Sequence, residues 1–337
     1  MHTAARFIAR STSKSFVGAV MLALGLLADA ATGIAQAQAP AWPARPIRLI
    51  VSFPPGGPAD LLGRFIAERL TDSLGQQVVV DNRPGANSII AAEMTAKAAP
   101  DGHTLLMAID GAMVMNPALY TRLPYDPVKD FTPIGLVATI PNLIVAHPSS
   151  PWGSIRDLIA AAKARPGDIS IATSALPVQL AIELFMAQSG ARLTLVPYKG
   201  GSTSITDLVG GNVALSIEGV STALPFVRTG KVKALAVTSR DRLPQAPDVP
   251  TIAESGLPGY AFEVWQSVVA PAGAPQAVVE RINGELGRMM KTQAATDRLG
   301  ALGITPAWST PDELASRIRT DGEKWGKIIR DIGMKIE

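Results

Sequence analysis

The 337-residue chain contains no cysteine. That excludes disulfide staples and thiolate chemistry, so an exported form would be held by its core alone. Histidine is nearly absent too: His2 near the N-terminus, then only His103 and His147. Neither stands near a plausible nucleophile in sequence, although triads are assembled in space. No G-x-S-x-G elbow occurs, because Gly219-Val220-Ser221-Thr222-Ala223 lacks the closing glycine. The H-E-x-x-H, G-x-G-x-x-G and Walker patterns are missing, and no His/carboxylate cluster has metal-ligand spacing. Low-complexity tracts and fixed-period repeats are also lacking. The chain looks like a binder rather than a catalyst, with no cofactor implied.

What is present begins with an address. Residues 1–14 carry Arg6, Arg10 and Lys14 and no acid, and an apolar stretch from Phe16 to Leu27 follows. Ala-Gln-Ala-Gln-Ala then offers small residues for cleavage, favoured after Ala37. This is a secretory signal over 1–37, too short and wrongly flanked for a span. It also contains Asp29, so its removal lowers the formal charge from +3 to +1. A nearly neutral mature chain gives no electrostatic case for nucleic acid. No second apolar run approaches 18 residues, which predicts a soluble mature protein.

Strand and helix patterns alternate. IRLIVSF (47–53), VVVDN (78–82) and TLLMAI (104–109) are strands, separated by helices over 58–74 and 88–99. The pattern resumes with NLIVAH (142–147), a helix over 154–167, ISIAT (169–173), a helix over 178–189, LTLVPY (193–198), a helix over 203–210, VALSIE (213–218) and KALAVTS (233–239). VWQSVVAPAG (264–273) is another apolar run, and amphipathic helices over 275–291 and 310–332 close the chain. Thr310, Pro311 and Glu313 spell a capping signal for the last helix. This order predicts two parallel α/β units. The expected division is 42–141 plus 265–337 for domain one and 142–264 for domain two. NLIVAH and VWQSVVA would be the two crossing strands, with a ligand cleft between the domains.

Residues 52–60 are unusual: Ser-Phe-Pro-Pro-Gly-Gly-Pro-Ala-Asp, between a strand and a helix. Phe53 ends the strand, Pro54 follows, and Gly56 and Gly57 let another molecule approach the backbone. Pro58 suits the first helical turn, where no amide hydrogen is needed, and Ala59 follows it. Outward-pointing amides at the positive end of a helix make an anion site. Without the Walker lysine and hydroxyl, a carboxylate is a better candidate than a phosphate. Asp60 either takes part or merely stabilises the dipole from the solvent side.

These residues carry a resemblance. FPPGGPADLLGR, VVVDNRPGAN, AAPDGHTLLM, NPALYTRLPYDPVKDFTPI, VPYKGG, LPFVRTGKVKALAVTS and PDVPTIAESGLPGY stand in order from about Trp42 to the end. Together they resemble the substrate-binding proteins of tripartite tricarboxylate transporters, the Bug receptors. The resemblance implies a periplasmic type II binding-protein fold closing on a small organic acid. It also implies permease subunits as partners, a sensor as a further possible partner, and no need for an oligomer. A ligand carboxylate would be held through waters by the loop amides of Phe53–Asp60.

The departures from the family pattern bear on the ligand. After the third strand, relatives often carry a small polar stretch; here Gly111 leads into Ala112 and Met113. In the second domain a hydroxyl-rich loop is replaced by Thr173-Ser174-Ala175-Leu176-Pro177-Val178. Each lost hydrogen bond to a charged group is worth about 1.5–3 kcal/mol. The expected ligand is therefore a monoacid, or an acid with an apolar or aromatic body. The plainer alternative leaves polarity to Thr173, Ser174, Tyr198 and Ser221. Tyr198 could donate to ligand or cap the core edge. Lys199 could attract acids or be solvated, and Glu218 could make interdomain hydrogen bonds. Trp265 suits core or hinge packing. A secreted enzyme on small acids would need an acid–base pair, Asp60 with Asp110 or Glu218. A signalling receptor without transport is the third reading.

Overall fold

The computed structural model describes residues 42–198 and 200–336. The expected signal segment, residues 1–37, and Lys199 lie outside the described residues.

Eleven strands among the described residues form two sheets. The first half begins with β1 (Ile47–Val51), α1 (Pro58–Leu74), β2 (Val78–Asn82), α2 (Ile89–Ala96) and β3 (Thr104–Ile109). A π turn over Gly111–Met115 runs into the short α3 (Asn116–Leu119), and β4 (Phe131–Ile140) follows. The chain then enters the second sheet with β5 (Asn142–Ala146), α4 (Ile155–Ala164), β6 (Ser170–Thr173), α5 (Leu176–Ser189) and β7 (Thr194–Pro197). It continues through α6 (Gly201–Val209), β8 (Leu215–Gly219), α7 (Val220–Arg228) and β9 (Lys233–Val237). It returns as β10 (Val264–Pro271), α8 (Gln276–Met290), α9 (Gln293–Gly300), β11 (Thr305–Pro306) and α10 (Pro311–Asp331).

The sheet orders are β11-β4-β10-β3-β1-β2 and β7-β6-β8-β5-β9. Neither is wholly parallel, contrary to the sequence expectation. β10 runs antiparallel to β3 and β4, and β5 antiparallel to β8 and β9. β11 is likewise antiparallel to β4, and β10 and β5 are the strands by which the chain enters each sheet from the other lobe. Both run away from the divide, whereas β1, β3 and β6 run towards it and deliver their C-terminal loops there. NLIVAH and VWQSVVA are thus full sheet strands rather than connections. The outward crossing is the single residue Pro141, between β4 and β5. The return crossing ends at β10, and Thr238 ties it to the outward one by donating to the Asn142 carbonyl at 2.9 Å.

Several elements had no expected counterpart: β4, α7, α9, β11 and the π turn that runs into α3. β4 contains Pro133 and Gly135, which spoil a strand pattern. Pro133 is tolerated beside a register shift, where β10 slips between Val268 and Val269. α7 carries Pro225 inside it, normally a helix breaker. The capping box of α10 is present: Glu313 N–H donates to Thr310 Oγ1 and Thr310 N–H donates to Glu313 Oε2. α10 packs on the π turn and β4 of the first lobe and on α5 of the second. Trp265 is buried and donates through Nε1 to Asp321 on α10 at 2.9 Å. This is the packing role expected of it.

Candidate functional site

The loop after β1 is built around Asp60. Its Oδ2 accepts from the Gly56 amide at 2.9 Å and from Arg64 Nε at 2.8 Å. Its Oδ1 accepts from Asn82 Nδ2 at 2.9 Å, and the same amide group donates to the Phe53 carbonyl. Burial pushes the carboxyl pKa up, but bonds from Arg64, Gly56 and Asn82 outweigh it and hold the group at about 2. Asp60 is 1% exposed and points at neither solvent nor ligand space. It fixes the loop from beneath. Gly56, at φ +88, supplies the left-handed turn that only glycine adopts cheaply. The amides of Ala59 and Asp60 precede the first intrahelical bond of α1, which runs from the Leu61 N–H to the Gly57 carbonyl at 3.0 Å.

Beside this loop runs a second, from Pro84 to Ser88. Ala86, Asn87 and Ser88 all have positive φ, at 46, 50 and 71°. Three non-glycine residues in that region cost of order 1–3 kcal/mol each unless held. They are held: Ser88 Oγ donates to Ser52 Oγ at 2.9 Å, Asn116 Nδ2 to the Asn87 carbonyl at 2.9 Å, and Asn87 Nδ2 to Tyr120 Oη at 2.7 Å. Gly85 is required as well, because its φ of +129° is a conformation that side-chain-bearing residues rarely adopt. The third loop starts at Asp110, whose Oδ1 accepts from the Gly111 amide at 2.8 Å. Burial dominates its titration and pushes the pKa up to about 7, against the opposing effect of the Gly111 amide.

These loops open onto a cavity of about 840 Å3. Its wall includes Ser52, Phe53, Pro54, Pro55, Gly57, Pro58 and Ala59 from the first loop and Pro84, Gly85, Asn87 and Ser88 from the second. Ile109, Asp110, Gly111, Met115 and Asn116 come from the third, and Ile140, Val264 and Gln266 from the strands at the divide. Across from them the second lobe presents Ala175, Leu176 and Pro177, the start of α5. The volume falls within the usual small-molecule range, and apolar walls with few polar groups are the common pattern.

Six residues singled out from the sequence therefore line the cavity: Phe53, Pro54, Gly57, Ala59, Gly111 and Ala175. The others do not. Gly56 spends its amide on Asp60. Met113 and Val178 are buried in the core. Thr173 turns its hydroxyl to the Ala175 carbonyl at 3.4 Å, and Ser174 is off the wall. Tyr198 Oη donates to Asp207 at 2.9 Å. Glu218 is buried and accepts from Ser204 and from Ser216, the latter at 2.6 Å; burial pushes its pKa up despite these bonds. Ser221 packs beside Gly303 at a separate pocket of about 180 Å3. Of the acid–base pairs an enzyme would need, only Asp110 reaches the main cavity, and neither His103 nor His147 does. The loop 84–88 and Gln266 were missed. The strand-end rule applied to β2 points to the first; the second depends on the pairing of β10 with β3.

The model of the tripartite tricarboxylate transporter family receptor matches residues 62–334. The chain belongs to this family. BugT of Bordetella pertussis is 37% identical over 321 residues, which cover 94% of this chain and 98% of that protein. Among solved structures, Rhodopseudomonas palustris Rpa4515 with adipate is 36% identical, with a TM-score of 0.73 over 87% of this chain and 99% of that one. MatC of the same species, with bound malate, is 30% identical, with a TM-score of 0.68 over 86% of this chain and all of that one. These likenesses agree with the two-lobed periplasmic binding fold derived above.

A substitution at Gly57 separates folding from binding. Its φ is −81°, and a Cβ there would meet nothing nearer than the Pro54 carbonyl at 3.9 Å. Gly57→Val should leave the melting temperature nearly unchanged while weakening acid binding about tenfold or more, as measured by calorimetry. Equal affinity would remove this loop from the site.

Proposed function

We propose that this protein is an extracytoplasmic receptor that captures a small organic carboxylate between its two lobes and delivers it to a tripartite tricarboxylate-type transporter. The observation that carries the reading is the cavity. The start of α1, where the amides of Ala59 and Asp60 precede the first intrahelical bond, meets it on one side, and the apolar start of α5 faces it on the other. The amides and the helix dipole suit one carboxylate. The second lobe adds Ala175, Leu176 and Pro177, and among the described residues no side-chain hydroxyl from it lines the wall. We take the ligand to be a monoacid, or an acid with an apolar or aromatic body. The adipate and malate held by relatives support carboxylate capture as the class. Export through cleavage near Ala37 and action as a monomer complete the reading.

A thermal-shift screen of organic acids tests it. At a hundredfold excess over Kd, a ligand adds about 2.7 kcal/mol, a rise of roughly 5 °C for a protein of this size. Apolar-bodied monoacids should give that rise and citrate should not. A clear citrate shift with none from any monoacid would overturn the assignment.

A further inference from the structure

β10 gives the cavity Val264 and Gln266. These stand two apart on one strand and share a face, while Trp265 between them turns to α10. Gln266 is 3% exposed, and its Oε1 is sealed without a hydrogen-bond partner. Its Nε2 bonds to nothing among the described residues and is the polar end left to the cavity. A sealed acceptor without a partner costs free energy. Methionine, of similar length and volume, would fill the strand without that cost, so packing does not account for the glutamine. The backbone is also irregular beside it. β4 carries one extra residue, Val137, between Ala138 and Leu136, the partners of Gln266 and Ser267. Such bulges re-aim side chains and are common next to binding sites. Gln266 is also set apart from the carboxylate cradle: β3 separates β10 from β1, so the two strands lie about 10 Å apart. No lysine, arginine or histidine among the described residues lines the cavity. A neutral N–H donor there suits a neutral oxygen, whereas a second carboxylate would be buried with no cation to meet it.

We propose that Gln266 is a specificity-determining donor that reads a carbonyl oxygen on the body of the ligand, so that the receptor favours oxo acids over plain acids and over diacids of the same shape. This rests on the receptor reading: the carboxylate sits at the start of α1, and Gln266 Nε2 donates to the carbonyl further along the ligand. A carbonyl accepts without bringing a proton that needs an acceptor of its own. An ammonium at that place would set donor against donor, which a specific pocket uses as rejection.

Two matched sets of acids test this by calorimetry: caproate, δ-oxocaproate and glutarate, then heptanoate, ε-oxoheptanoate and adipate. Within each set the oxo acid and the diacid share a shape and differ in charge. In the set whose length fits, the oxo acid should bind about fivefold tighter than the plain acid, and ahead of the diacid. Gln266→Met should bring the oxo acid to within about twofold of the plain acid, and its melting temperature should not fall. Nitrogen-edited NMR of the parent protein gives a second reading that needs no variant. The side-chain amide protons of Gln266 should move further downfield with the oxo acid than with the plain acid. Several results would overturn the proposal: no oxo advantage in either set, an unchanged ratio with a lower melting temperature in Gln266→Met, or no binding by any of the six. A diacid that leads in the parent and loses its lead in Gln266→Met would also do so, since Gln266 would then receive a second carboxylate. The receptor reading fails separately, and only if the wider acid screen yields no ligand.

Discussion

Asp60→Ala will cost the protein about 3 kcal/mol of stability and about a hundredfold in acid affinity. The stability loss follows from removing a buried acceptor that serves Gly56, Arg64 and Asn82 together. Bonds to a charged group are worth about 1.5–3 kcal/mol each and are not additive. The affinity loss follows from releasing the loop whose residues line the cavity. Arg64→Ala is the control. Arg64 is half exposed, so its ion pair is worth little, and its loss should change stability by less than about 1 kcal/mol. Urea denaturation with calorimetry on the same samples separates the two effects. Similar losses in both variants would mean that the ion pair, not the pinned loop, matters. The pH dependence has a fixed sign. A carboxyl depressed to about 2 from its ordinary value of 3.8 contributes stability that is present above pH 4 and lost as the pH falls through about 2.

Asp110→Asn will act in the opposite direction on the ligand-free protein. Its carboxyl titrates near 7 when folded, mainly because it is buried, and near 3.8 when unfolded. Between those values the folded state binds the extra proton, so stability falls as the pH rises from 4 to 7. Above pH 7 the ionised group costs up to about 4 kcal/mol. The asparagine variant removes that cost, so it should be more stable than the parent at pH 8 and close to it at pH 4. Chemical denaturation at the two values decides the point. Equal stability at pH 8 would show that Asp110 is not buried as a bare carboxyl.

Much of this was legible in the residues. Alternating apolar runs and helix-spaced leucines mark the two α/β lobes, because strand and helix burial have different periods. The first loop announces itself through glycine and proline, whose backbone preferences are local. The parts that were not legible depend on distant partners. Asp60 looked like a dipole partner or a ligand group; its true contact, Asn82, is the last residue of the next strand. The left-handed run at Ala86–Ser88 has no compositional mark, since its cost is met by Ser52, Asn116 and Tyr120 from other segments. β4 hid behind Pro133, whose missing amide matters only once the bulge is known. The hydroxyls of Thr173 and Tyr198 looked available because a sequence does not show that Ala175 and Asp207 accept them.

The central claim is that backbone amides at the start of α1 hold the ligand carboxylate. Nitrogen-edited NMR of the amides of Gly57 and Ala59 during titration tests it most directly, with caproate as the acid and caproamide as its uncharged counterpart. Both amide protons should move downfield and saturate with the affinity measured by calorimetry, and caproamide should leave them in place. Caproate that binds without moving either resonance would contradict the account.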